Sequence, residues 1–89
     1  MIPRTALEEQ ILRVLYEGPA SVYECCLELQ RYSGEPDIEC AVERLLIELA
    51  SGSLAGACSN AEGLRYAITA AGSERLAALV EARSIRGAA

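Results

Sequence analysis

Apolar residues recur at helical spacing along the first half of the chain. Leu7, Ile11, Val14 and Leu15 fall on one face of a helix expected over residues 5–16, with Leu12 off that stripe. Thr5-Ala6-Leu7-Glu8 has the spacing of a capping box, in which the Thr hydroxyl and the Glu carboxylate satisfy each other's backbone amides. Glu9 and Arg13 stand four apart, a small stabilising pair, and Gly18-Pro19 stops the helix. Ser21-Val22-Tyr23-Glu24 repeats the capping box and opens a second helix over 22–32. There Val22, Cys26 and Leu29 share a face, flanked by Cys25 and Tyr32, and Ser33-Gly34 ends the segment. A third helix is expected over 38–50, with Asp37 as N-cap. Its stripe is Ile38, Val42, Leu45 and Leu49, widened by Ala41 and Leu46, and Ser51-Gly52 closes it.

The period then changes. Residues 54–58 are small and apolar, 59–63 carry turn chemistry, and 64–69 alternate, with Leu64, Tyr66 and Ile68 on one face. The pattern predicts a β-hairpin. Thr69 is placed to cap a last helix over 71–82, whose apolar side is Leu76, Leu79 and Val80, and residues 84–89 read as a frayed tail. Three helices, a hairpin and a helix make a mainly α chain with a small β-hairpin. The second and third helices lie close, like a helix-turn-helix pair, and a hairpin after them is a wing. The expected architecture is a winged helix-turn-helix, α-α-α-β-β-α, forming a single domain over 1–89.

Composition narrows the function. Apolar residues make up 52% of the 89, enough for a core, but almost all are aliphatic: Tyr16, Tyr23, Tyr32 and Tyr66 are the only aromatics. Tyr23 and Tyr66 are expected to plug that core. A chain this short buries only about 60% of its unfolded surface, which favours assembly. A homodimer is expected, with Leu12, Leu76, Leu79 and Val80 as candidate interface residues. The net charge is -5, and all eight basic residues are Arg. A basic footprint, the usual mark of a nucleic-acid binder, is missing from the whole. No apolar run approaches a membrane span, and residues 1–4 lead straight into an amphipathic segment, so a cytoplasmic protein is expected. With no His and no Gly-rich phosphate loop, the pattern points away from an enzyme and from any cofactor. Cys25, Cys26, Cys40 and Cys58 lack metal-ligand spacing and are expected as free thiols without metal, Cys58 on an exposed wing strand.

Gly18-Pro19-Ala20-Ser21-Val22-Tyr23-Glu24 resembles the Gly-Pro-x-x-Gly-Tyr-Glu turn of PadR-like, MarR-related transcriptional regulators. Leu45-Leu46-x-x-Leu49, with Gly52 and Leu54, is similar to the end of that family's recognition helix. The segment from Arg65 to Gly72 resembles its second wing strand and the following Thr-x-x-Gly cap. The resemblance implies a dimer that binds double-stranded DNA, the third helix reading the major groove and the hairpin touching the backbone or minor groove. The implied DNA-facing positions are Glu39, Cys40, Glu43, Arg44 and Ile47, with Arg65 on the wing; Arg44, Arg65, Cys40 and Ile47 are the candidate DNA contacts. The chain departs from the family at Val22, at Glu43 and at Ile47-Glu48, and its wing carries one Arg. An alternative therefore stands beside the regulator: a winged-helix protein-interaction module without DNA binding. Such an inhibitor or adaptor, of the kind found in phage or defence loci, would present Glu35, Asp37, Glu39, Glu43 and Glu48 to a larger protein complex.

Overall fold

The computed structural model describes residues 4–33, 38–61 and 63–88, with side chains over 4–30, 38–61 and 63–83. Glu35, Asp37 with its expected cap, and the side chains of Arg31 and Tyr32 lie outside that set. The order is α1 (Arg4–Glu17), α2 (Val22–Ser33), α3 (Ile38–Ser51), β1 (Ala55–Asn60), β2 (Gly63–Ile68) and α4 (Ala70–Ala88). Strands β1 and β2 pair antiparallel, from Ala55 opposite Ile68 to Asn60 opposite Gly63. This is the winged-helix architecture expected from the sequence.

The capping signals divide. At α2 the Ser21 amide donates to Glu24 Oε1 and the Glu24 amide to Ser21 Oγ, both at 3.2 Å, a complete box. At α4 the Gly72 amide donates to Thr69 Oγ1 at 3.0 Å, and that hydroxyl donates to the Ser53 carbonyl at 2.6 Å. At α1 the box fails. The helix starts at Arg4, so Thr5 is already helical, whereas an N-cap residue keeps non-helical angles. Glu8 instead accepts from Arg75 Nε at 2.6 Å. Helix α3 ends at Ser51, where Ser51-Gly52 was expected to close it. Gly52 does not take the left-handed turn; Ser53 does, at φ 62°, with its amide bonded to Ala50 and that of Leu54 to Leu49. Beyond 82, α4 continues to Ala88, where the sequence suggested fraying, and no Pro interrupts it.

The core joins α1, α2, α3, Ala55, Tyr66 and Leu76. Leu12, read as lying off the α1 stripe, is fully buried within it. The reason is coverage from two sides: α1 packs on α2 and α3 and also on β2 and α4, so its buried arc is wider than one stripe. Leu76 is buried as well, and Leu79 and Val80 pack half-buried against the same core. Tyr66 plugs the core, but Tyr23 is 70% exposed. The inner face of α2 already runs through Val22, Cys25, Cys26 and Leu29, which recur at helical spacing and leave no room for Tyr23. Ala41 is exposed, and so is Leu64, which sits at the hairpin tip beyond the helices.

The wing is anchored by a contact with no sequence signature. Ala20, between α1 and α2, pairs with Tyr66: its amide donates to the Tyr66 carbonyl at 2.9 Å and its carbonyl accepts from the Tyr66 amide at 2.8 Å. One residue thus extends the hairpin on its inner edge and fixes the wing to the α1–α2 turn.

Candidate nucleic-acid interface

Helix α3 is half core and half surface. Ile38, Val42, Leu45, Leu46 and Leu49 hold it against the other helices. That packing turns Glu39, Cys40, Glu43, Arg44, Ile47 and Glu48 outward, all exposed, with Ile47 at 52%. The candidate contacts Cys40, Arg44 and Ile47 therefore share one solvent face of one helix. Among the described residues Arg44 has no ion-pair partner, so its guanidinium is available. The same face carries three carboxylates. Glu39 and Glu43 lie beside Cys26, whose thiol is pushed up by burial and then by those two charges.

Arg65 stands on β2, half-buried, and its Nη2 lies 3.2 Å from Glu24 Oε1. The oxygen that closes the α2 capping box therefore also holds the wing's cation. Arg4 Nη2 lies 2.5 Å from Glu48 Oε2, which ties the start of α1 to the far end of α3. Neither pair has a spacing within one helix or hairpin, so no local pattern in the sequence announced it.

The exposed cysteines are Cys40 on α3 and Cys58 on β1; Cys25 and Cys26 are buried. Burial, and then the neighbouring Cys26 and Glu24, push the Cys25 thiol up to about 12, so it stays protonated. No group of three or more His, Cys, Asp or Glu side chains among the described residues is placed to hold a metal ion, and none of their helices is long and apolar enough to cross a membrane.

On another side of the molecule, a groove of about 590 Å³ runs between the C-terminal half of α1 and the first turns of α2. It reaches the wing's anchor, since Ala20 and Glu24 both line it.

No family model and no curated protein matches the chain. A solved structure described as the complex structure of hsRosR-S4 is similar over 91% of this chain and 71% of its own, with a TM-score of 0.78 and 23% identity. At that identity the likeness is one of fold, and it agrees with the winged-helix arrangement described above.

Proposed function

We propose that this chain is a PadR-like winged-helix transcriptional regulator that docks double-stranded DNA through α3 and its wing. The observation that carries the reading is the outward face of α3, which presents Cys40, Ile47 and an Arg44 with no ion-pair partner among the described residues, on a helix held by its opposite face. Helix-turn-helix proteins put such a helix in the major groove. The likeness in fold to hsRosR agrees with the winged-helix arrangement on which this reading rests. Arg44 and Arg65 supply the phosphate-binding charge in this reading. A homodimer doubles them, and Leu79 and Val80 on α4 are the half-buried apolar residues left for a second copy to cover.

The charge on α3 sets the strength of this binding. Opposite or like charges 4 Å apart interact by about 4 kcal/mol at an effective dielectric near 20, so Glu39 and Glu43 near phosphates oppose docking. Binding is accordingly weak and salt-sensitive, with a log–log slope of about -2 for two Arg contacts and about -4 for a dimer. The test is a salt titration of duplex binding by fluorescence anisotropy, with the mass of the free and bound protein from light scattering. Arg44→Ala with Arg65→Ala abolishes binding, and Glu39→Lys with Glu43→Lys strengthens it. Tight binding that survives loss of both Arg residues refutes the reading.

A second reading has its own observation. Two of the cations near α3 and the wing, Arg4 and Arg65, are engaged by Glu48 and Glu24, and the exposed carboxylates of α3 outnumber its one Arg. That surface suits a basic patch on a protein. Binding gained only in the Lys variant, with none in the wild type at low salt, selects this protein-interaction module.

A further inference from the structure

We infer that the outer edge of the wing is a self-pairing surface, on which β1 of a second copy of this chain lies antiparallel to make one four-stranded sheet. The backbone groups on offer follow from the inner edge. The Tyr66 amide and carbonyl both bond to Ala20, away from β1. Ala57 stands opposite Tyr66, so these two residues exchange no hydrogen bonds, and the Ala57 amide and carbonyl point outward as well. Alternation gives Ala55 and Ser59 the same direction, while Gly56, Cys58 and Asn60 bond to β2. Ala55 is buried. Ala57 and Ser59 are left at an open edge, and among the described residues no backbone bond from another element reaches either.

Edge strands ordinarily carry a charge, a proline or a bulge that keeps other strands away. Strand β1 has none of these: its register is unbroken from Ala55 to Asn60, and residues 49–61 are the longest run in the chain without a charge. A second copy is the occupant for two reasons. Copies that each carry a net charge of -5 repel, and an uncharged strand lets them approach without setting carboxylates against each other. Sites that capture foreign strands take specificity from pockets for alternate side chains, and Gly56, Ala57, Cys58 and Ser59 are too small to wall one. Two-fold pairing needs only an edge that complements itself. An axis beside Cys58 sets Ala57 against Ser59 of the second copy and Ser59 against its Ala57, so every open group pairs. An axis beside Ala57 sets Ser59 against the buried Ala55 instead. In the first register the two Cys58 residues face each other with Cα atoms about 4.5 Å apart, within the span of a disulfide. The edge is separate from α4 and its pairing needs no DNA, so this inference and the regulator fail independently.

The assay uses Cys40→Ser and Cys58→Ser variants of the full chain, each left with one exposed thiol. Diamide oxidises two thiols to one disulfide and takes up their two protons and two electrons. Dimer formation is followed by mass spectrometry and scaled to each thiol's rate of alkylation by iodoacetamide. The Cys40→Ser chain cross-links about tenfold faster than the Cys58→Ser chain, because pairing raises the local concentration of Cys58. Adding Ala57→Pro removes an outward amide, spares the ladder to β2 and brings the rate down to that of Cys58→Ser. Ala57→Lys with Ser59→Lys sets like charges directly across the axis, alters no backbone group and does the same. In the linked dimer the Ala57 and Ser59 amides exchange with deuterium about tenfold more slowly than in the reduced chain, a change that a dimer through α4 does not make. Equal scaled rates for the two thiols, Cys58 cross-linking that survives both edge variants, or Ala57 and Ser59 amides that stay fast in the linked dimer each overturns the inference.

Discussion

Replacing Gly72 with Ala puts two opposing effects in direct competition. Gly72 lies in the first turn of α4, where Ala is the better helix former by about 0.8–1.0 kcal/mol. Space decides the other way. A Cβ at this position stands 2.0 Å from the Leu54 carbonyl oxygen and 2.8 Å from Ile68 Cγ1. The first neighbour is backbone, and it is already committed: the Leu54 carbonyl accepts from the Thr69 amide at 3.2 Å. Restoring ordinary contact requires a displacement of about 1.5 Å between the end of α3 and the start of α4. Overpacking of this kind costs about 1–3 kcal/mol, and disturbing the Thr69 cap adds about 1 kcal/mol. After the helix-propensity gain, a net loss of about 2 kcal/mol remains. For a domain of this size that lowers Tm by about 8–16 °C. Urea melts followed by circular dichroism measure it, with a lower midpoint at unchanged m-value. A Gly72→Ala variant with the wild-type midpoint, or a higher one, refutes the close-approach reasoning.

The neighbouring turn predicts the opposite sign: Ser53→Gly relieves a left-handed residue and raises stability by about 0.5–1 kcal/mol in the same melts, whereas an unchanged midpoint contradicts the strain. Native alkylation with iodoacetamide at pH 8 labels Cys40 and Cys58, while Cys25 and Cys26 react only after denaturation; mass mapping that finds equal labelling of all four overturns the packing of α2. Stability also falls as pH rises from about 9 towards 12, because the unfolded thiol ionises near 9.0 while Cys25 in the fold holds its proton to about 12. The folded state then binds more protons than the unfolded one, so the slope is negative. Cys25→Ala flattens that slope whatever it does to absolute stability, and a slope unaltered in the variant rules this cause out.

Much of the fold was legible because its signals are local. Ser21 with Glu24, and Thr69 with Gly72, act within one helical turn, and the stripe of α3 needs no partner to be seen. Two of the misreadings needed a second element, and one needed only the phase of its own helix. Leu12 looks peripheral until α4 and β2 are laid on α1. Glu9 reads as half of a surface pair with Arg13, yet it is 5% exposed and also lies 3.4 Å from Arg83, which comes from α4. Tyr23 looks like a core residue by type, and its phase on α2 sends it outward. At the candidate interface the exposure of Cys40, Arg44 and Ile47 followed from periodicity, but the hold of Glu24 on Arg65 did not. It depends on Ala20 bringing the wing to the α2 N-terminus.

The pairs between α1 and α4 act as an index mark. Between Ala70 and Ala82, α4 leaves Ala71, Ala77, Ala78 and Ala82 exposed and turns only Leu76, Leu79 and Val80 of its larger apolar side chains toward the core, so apolar packing alone separates neighbouring registers weakly. Glu8 with Arg75 and Glu9 with Arg83 remove that degeneracy. Sliding α4 by one turn, about 5.4 Å, parts both pairs together and strands two buried carboxylates. Taking one partner from a fully buried pair costs about 3–5 kcal/mol, so even a fraction of that rejects the shifted register. Alanine supplies a helix that forms easily, and the two acids on α1 decide where along its length it stops.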